Sequence, residues 1–348
     1  MILTARQTQI FQAIVEDYIS FAEPVGSRTI SKKFNIPISS ATIRNEMSDL
    51  EDMGLITQQH LSSGRVPTQK GMRFYVDCIL ELDRLSDEET DAIKNIKAEY
   101  ARKKQHIREL MKDVSRAMTN TMDYPSIIVA PKLSSEKFKK IQFMLVDDDN
   151  ILITLISRSG LIEHFSLKID FPVTQDKLDH VASNFNGLPA GFTLEEVDRA
   201  LYSEFMRGDR NAGEGCGCIM RLLKGSDCES IDERVFMNGA ENIFKNPEFQ
   251  NSEKVKLFIQ ILNDKEKLIK LMYATSPKNY KNDTLVLIGS ELFDFAALDL
   301  GLVASEYSGA DEATGLLGII GPSRMEYGRV ITIVREIAAK LSNILREK

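Results

Sequence analysis

Ser39-Ser40-Ala41-Thr42-Ile43-Arg44-Asn45-Glu46-Met47 reads as the opening turns of a helix shaped to enter a nucleic-acid groove. Ser39 or Ser40 offers a side-chain oxygen to the orphan amides of the first turn. Ile43, Met47 and Leu50 recur at helical spacing and make one narrow apolar stripe, and Gly54 follows as a stop. At about 100° per residue, Ala41, Arg44, Asn45 and Ser48 fall on the side away from that stripe. A small residue lets a helix approach closely, and Arg and Asn side chains read base edges. Taken alone, the stretch also fits an ordinary amphipathic surface helix. Its neighbours decide.

Upstream, Thr4-Ala5-Arg6-Gln7 has the form of a capping box, and Ile10, Phe11, Ile14, Val15, Tyr18 and Ile19 give a wide helical stripe. Pro24-Val25-Gly26 breaks that helix. Ser27 then caps a short second one, with Ile30 and Phe34 inward and Arg28, Lys32 and Lys33 outward. Asn35-Ile36-Pro37-Ile38 is a tight turn into the opening stretch. Two short helices so connected have helix-turn-helix spacing. Downstream, residues 55–61 have strand character, Ser62-Ser63-Gly64 is a turn, and Arg65-Val66 returns as a second strand. A hairpin directly after the third helix is a wing, with Arg65 expected near its tip to meet a phosphate or a minor groove. Pro67-Thr68 starts a further helix with Met72, Val76, Ile79 and Leu80 inward.

Charge agrees with this local reading. The 348 residues carry 44 Lys/Arg and 51 Asp/Glu, a net −7, so the protein is not basic throughout. Residues 1–80 hold eight basic and eight acidic side chains, leaving the whole excess to the remainder. Between Val25 and Arg73 seven basic residues face four acidic ones. A locally basic segment on an acidic body is compatible with one nucleic-acid face.

The residues Glu23-Pro24-Val25-Gly26-Ser27-Arg28, the opening stretch, Leu50-Glu51, Gly54-Leu55 and Ser62-Ser63-Gly64-Arg65-Val66-Pro67-Thr68 together resemble the HrcA family of bacterial heat-inducible transcription repressors. The resemblance reaches the far end, at Gly321-Pro322-Ser323-Arg324-Met325-Glu326-Tyr327. It implies a homodimer that binds an inverted-repeat operator in double-stranded DNA upstream of chaperone genes and loses activity on heat stress. The GroE chaperonin would maintain its active fold. On that reading Arg44 and Asn45 read bases, Ser48 shares their face, and Ser27, Arg28, Ser39, Ser40 and Thr42 hold the backbone with Arg65 on the wing.

Beyond residue 82 the pattern is α+β. Residues 86–122 form a long charged helical segment in which Ile93, Ile96, Tyr100, Ile107, Leu110 and Val114 recur, with Lys103 interrupting the seam. Strands are expected at 127–130, 141–146, 151–157, 162–169, 284–288, 302–304 and 315–320, all in one antiparallel sheet. A final helix follows Ser323-x-x-Glu326, with Val330, Ile333, Val334, Ile337, Leu341 and Ile344 inward. The resemblance implies a multidomain chain: a winged-helix DNA-binding domain (1–82), then a GAF-like α/β domain (83–190 and 251–348) whose antiparallel sheet is interrupted by a mostly helical dimerising insert (191–250).

Other classes find less support. No apolar run is long enough to span a bilayer and the N-terminus has no signal pattern, so a cytoplasmic protein is expected, without membrane association. Clustered cysteines point to a reducing compartment. Cys216, Cys218 and Cys228 lack zinc-finger spacing, and Asp147-Asp148-Asp149 lacks that of a calcium loop, so neither metal nor cofactor is expected. Gly213–Gly217 follows no strand and has no Gly-Lys-Ser/Thr for phosphate. His60, His106, His164 and His180 are scattered, and Ile288-Gly289-Ser290-Glu291 lacks the second glycine of a nucleophile elbow. No catalytic residue is expected. The alternative is a ligand-responsive regulator, sensing a small molecule through its GAF-like domain or an anion at Gly321–Arg324.

Overall fold

The computed structural model describes residues 3–34, 38–59, 64–103, 107–131, 137–147, 150–157, 162–168, 173–189, 191–193, 196–197, 199, 234–249, 251–273, 280–281, 283–309 and 314–346. The first unit is built from α1 (Ala5–Phe21), α2 (Ser27–Lys33), α3 (Ser40–Asp52), β1 (Ile56–Gln58) and β2 (Arg65–Pro67). The expected capping box starts α1: Gln7 N–H donates to Thr4 Oγ1 at 3.2 Å and Thr4 N–H to Gln7 Oε1 at 3.1 Å. Ile10, Phe11, Ile14 and Val15 of α1 meet Ile30 of α2 and Ile43 and Leu50 of α3, each fully excluded from water. Burying one such side chain contributes roughly 1.5–3 kcal/mol, so this small core fixes the helix angles. Ser27 is not the cap of α2. Gly26 holds that position without a side-chain bond, and Ser27 is the first helical residue.

Helix α4 (Gln69–Phe74) continues as a π turn over Tyr75–Ile79 and leaves in extended conformation at Leu80. The described parts of the charged helical segment are α5 (Asp87–Lys103) and α6 (Ile107–Met122), which pack on each other and on the C-terminal helix.

Beyond the β1-β2 hairpin, the described strands divide into two sheets. The larger has six antiparallel strands: β3 (Ser126–Val129), β7 (Val235–Asn238), β8 (Tyr280–Lys281), β9 (Thr284–Ile288), β10 (Leu300–Ser308) and β11 (Thr314–Pro322), in the order β7-β3-β11-β10-β9-β8. One face carries α6 and the final helix, α10 (Tyr327–Arg346); the other carries α8 (Ser252–Asn263) and α9 (Lys265–Met272). The smaller sheet, β4-β5-β6, comprises β4 (Phe138–Asp147), β5 (Asn150–Ser157) and β6 (Ile162–Lys168). Helix α7 (Gln175–Asn186) covers one of its faces through Leu178, Val181 and Phe185.

This corrects the expectation of a single sheet. Of the strands between 126 and 169, only β3 joins the large sheet, and β7, expected within the insert, pairs with it at Ser126↔Asn238 through Val129↔Val235. Burial explains the division. Strands β3 and β9 are buried at every position, as a sheet covered on both faces requires, whereas β5 alternates strictly between buried and half-buried.

Candidate DNA-contacting face

Helix α3 is anchored on one side and open on the other. Ser39 caps it, accepting from the Thr42 N–H at 3.1 Å, and the two hydroxyls are 2.9 Å apart. Ile43, Met47 and Leu50 are buried, while Ser40, Ala41, Arg44, Asn45 and Ser48 are exposed and Thr42 is half-buried. The far end is tied down three ways. Gly54 turns with φ 73°, Leu55 N–H donates to Leu50 O at 3.0 Å, and Lys70 Nζ donates to Met53 O at 2.7 Å. The ammonium therefore sits at the negative end of the helix dipole.

The wing is braced by the same helix. Strand β2 lies between β1 and Val25, exchanging two hydrogen bonds with Val25 through Arg65 at 2.8 and 2.9 Å. Gly64 must be glycine: a Cβ there would lie 2.5 Å from the Val25 carbonyl. Glu51, at the last turn of α3, takes the Gln58 N–H on one oxygen at 2.9 Å. Its other oxygen takes Arg65 Nε and Nη2 at 3.2 and 3.0 Å. One carboxylate thus holds both strands of the hairpin.

Arg65 stands at the turn end of the hairpin, opposite Gln58, and its guanidinium is committed to Glu51. Residues 60–63 lie outside the described set. The other basic side chains sort by partner. Lys33 pairs with Asp17, and Arg73 with Asp77, Glu291 and the Val286 carbonyl. Arg28, Lys32 and Arg44 are exposed and have no acidic partner among the described residues. With Asn45 they form the part of this surface free to meet an external polyanion. Lys32 was legible as an outward charge on α2 but carried no contact role. Glu51 carried no signal beyond its place after Leu50.

This face joins two sequence matches. Residues 2–75 match the family described as winged helix-turn-helix transcription repressor, HrcA DNA-binding, and residues 108–331 match HrcA protein C terminal domain. The chain belongs to the HrcA family. It is 35% identical to the heat-inducible transcription repressor HrcA of Acetivibrio thermocellus over 98% of this chain and 96% of that one. To the HrcA of Desulforamulus reducens it is 31% identical, over 99% and 98%. A solved structure titled as a hypothetical protein covers 99% of both chains with TM-score 0.66 at 22% identity, a likeness of fold. As an HrcA protein the chain is a transcription repressor with a DNA-binding winged helix, not an enzyme.

The C-terminal HrcA signature has a structural task. Arg324 lies between units: its guanidinium forks onto the Glu248 carboxylate, with Nη2–Oε2 at 3.1 Å, and donates from Nη1 to Ile19 O of α1 at 2.7 Å. Arg324 is therefore occupied by protein groups, which removes the basis for an anion site at 321–324. Gln69 makes a second tie, donating to Ile288 O at 2.8 Å and Ser290 Oγ at 2.7 Å. The winged helix and the large sheet also share one continuous apolar core. Elsewhere, the Asp147 carboxylate accepts from the Asn150 amide at 2.7 Å. His164 Nδ1 bonds Thr154 Oγ1 at 3.0 Å. Cys216, Cys218, Cys228, His60 and His106 lie outside the described residues. No described helix is long and apolar enough to cross a membrane.

Proposed function

We propose that two copies bind an inverted-repeat operator upstream of chaperone genes, block transcription there, and lose the active fold on heating unless the GroE chaperonin maintains it. The observation that carries the DNA assignment is the pairing pattern: Arg44, Asn45, Arg28 and Lys32 are exposed and have no acidic partner among the described residues, on a scaffold whose other charges are mostly internally matched. Arg44 is suited to the O6 and N7 atoms of guanine, and Asn45 to adenine or phosphate. Ser27, Ser39, Ser40, Thr42 and Ser48, with Arg28 and Lys32, fix the register on phosphates. Arg65 acts through Glu51, holding the wing rather than the DNA.

The same proposal takes residues 1–82 as the DNA-binding unit and the large sheet with its flanking helices as GAF-like. The insert becomes the part between Val129 and Val235 that leaves that sheet. Its dimerising role is supported by the uncovered face of β4-β5-β6. Met144 and Val146 there are 60% exposed, and Leu152, paired with Met144, is half-exposed. An apolar patch of that kind is unusual on a lone subunit. Two-fold pairing would set two α3 helices for two half-sites.

The test is an anisotropy titration with the inverted repeat, a single half-site and a scrambled duplex, before and after heating, with and without chaperonin. Much tighter binding to the repeat, lost on heating and restored by chaperonin, is expected. Equal binding to all three duplexes would remove the operator reading, and heat-resistant binding indifferent to chaperonin would remove the control mechanism.

A further inference from the structure

Where α1, the π turn and the start of α10 meet there is a cavity of about 380 Å3. Its walls bring together four carboxylates from three places: Glu16 of α1, Glu81 and Asp83 of the connecting segment, and Glu326 of the C-terminal signature. Glu16 accepts from the Gln12 amide at 2.7 Å, and Glu326 has Arg329 at 3.5 Å. Glu81 and Asp83 have no cationic partner among the described residues.

Tyr75 supplies an independent observation. It lines the same cavity, is 5% exposed, and its hydroxyl makes no hydrogen bond to any described residue. Burial, then the charges of Glu16 and Asp83, push its pKa up to about 12. The ring is packed in the core while the hydroxyl opens on the cavity, so its donor and acceptor are left to whatever occupies that space. Between the polar walls lie Ile19, Ile79 and Leu80, all half-buried.

We propose that this cavity binds a linear aliphatic polyamine. Ammonium groups pair with Glu16, the Glu81–Asp83 pair and Glu326. The methylenes between them lie on Ile19, Ile79 and Leu80, and the Tyr75 oxygen accepts from an ammonium while its proton turns to a carboxylate. A compact metal ion fits less well, because it needs several oxygens at about 2.3–2.6 Å around one point, and no described group of acidic residues is so gathered. The occupant bridges α1 and Tyr75 of the winged-helix unit to Glu326 of the sheet unit, alongside the Arg324 tie.

Calorimetric titration of the full chain with spermidine at physiological salt tests the proposal, beside magnesium and an uncharged diol of equal length. Saturable spermidine binding is expected, with a rise in thermal midpoint that neither control reproduces. Glu81→Gln combined with Asp83→Asn should weaken binding about fivefold, as loss of two exposed ion pairs predicts. Tyr75→Phe, which keeps the ring in the core, should weaken it without lowering the unliganded midpoint. Absence of saturable binding, equal binding by the double variant, or an equal midpoint shift with magnesium would each overturn it.

Discussion

Arg44 is the residue on which base recognition rests most directly, and its setting isolates that role. It is exposed, pairs with no described residue, and stands one residue after the fully buried Ile43 that fixes its helix. Removing its side chain therefore leaves the fold intact. We predict that Arg44→Ala costs about 1–3 kcal/mol of operator binding and relaxes discrimination at one base pair in each half-site. Competition between operator and singly substituted duplexes measures both quantities. An equal loss on operator and scrambled DNA would instead make Arg44 a phosphate contact. Asn45 is its exposed neighbour, and Thr42, whose hydroxyl is tied to Ser39, is the more fixed of the backbone-holding residues.

At the scale of elements, the wing separates two roles that the sequence ran together. We predict that Arg28→Ala and Lys32→Ala each flatten the slope of log affinity against log salt by about 0.9, as expected for one lost phosphate contact. Arg65→Ala should leave that slope unchanged while lowering thermal stability, because its guanidinium is already neutralised by Glu51; a slope flattened as far as in Arg28→Ala would return Arg65 to the DNA. The helices and the hairpin could be read directly, since capping residues, apolar spacing and turn residues are local signals. The Arg65–Glu51 pair could not, because it depends on how the hairpin folds back over α3. Sheet membership was only partly legible: the alternation along Ile151–Ser157 was present in the residues, but partner choice among strands is non-local. A further pairing links α5 to α10. Glu89 is buried, which alone would raise its pKa, but bonds from the Ser86 backbone and the Arg329 guanidinium prevail and hold it below the ordinary glutamate value. A carboxylate depressed in the fold contributes stability above its unfolded pKa and loses it as pH falls through the folded one. Glu89→Gln should therefore lower the melting temperature at neutral pH and lose less than the parent as pH falls below 4.5. Parallel acid limbs in the two proteins would show that Glu89 contributes no such linkage.

For the whole molecule, one winged helix reads only a few base pairs, so useful affinity depends on how two copies are joined. The Arg324 fork and the shared apolar core dock each winged helix on its own large sheet, so any coupling between two copies must pass through the bodies. The small sheet is well placed for that, because α7 covers one face and leaves Met144 and Val146 on the other. Replacing both by Asp puts two charges into the proposed contact without touching the inner core of Ile141 and Phe143. We predict that Met144→Asp with Val146→Asp sediments as a monomer at concentrations where the parent is a dimer. Its melting temperature should equal that of the dissociated parent, and its affinity for the inverted repeat should fall to that for a single half-site. A variant that remains dimeric would move the contact elsewhere on the body. A monomer that keeps full operator affinity would show that pairing on DNA does not depend on this face.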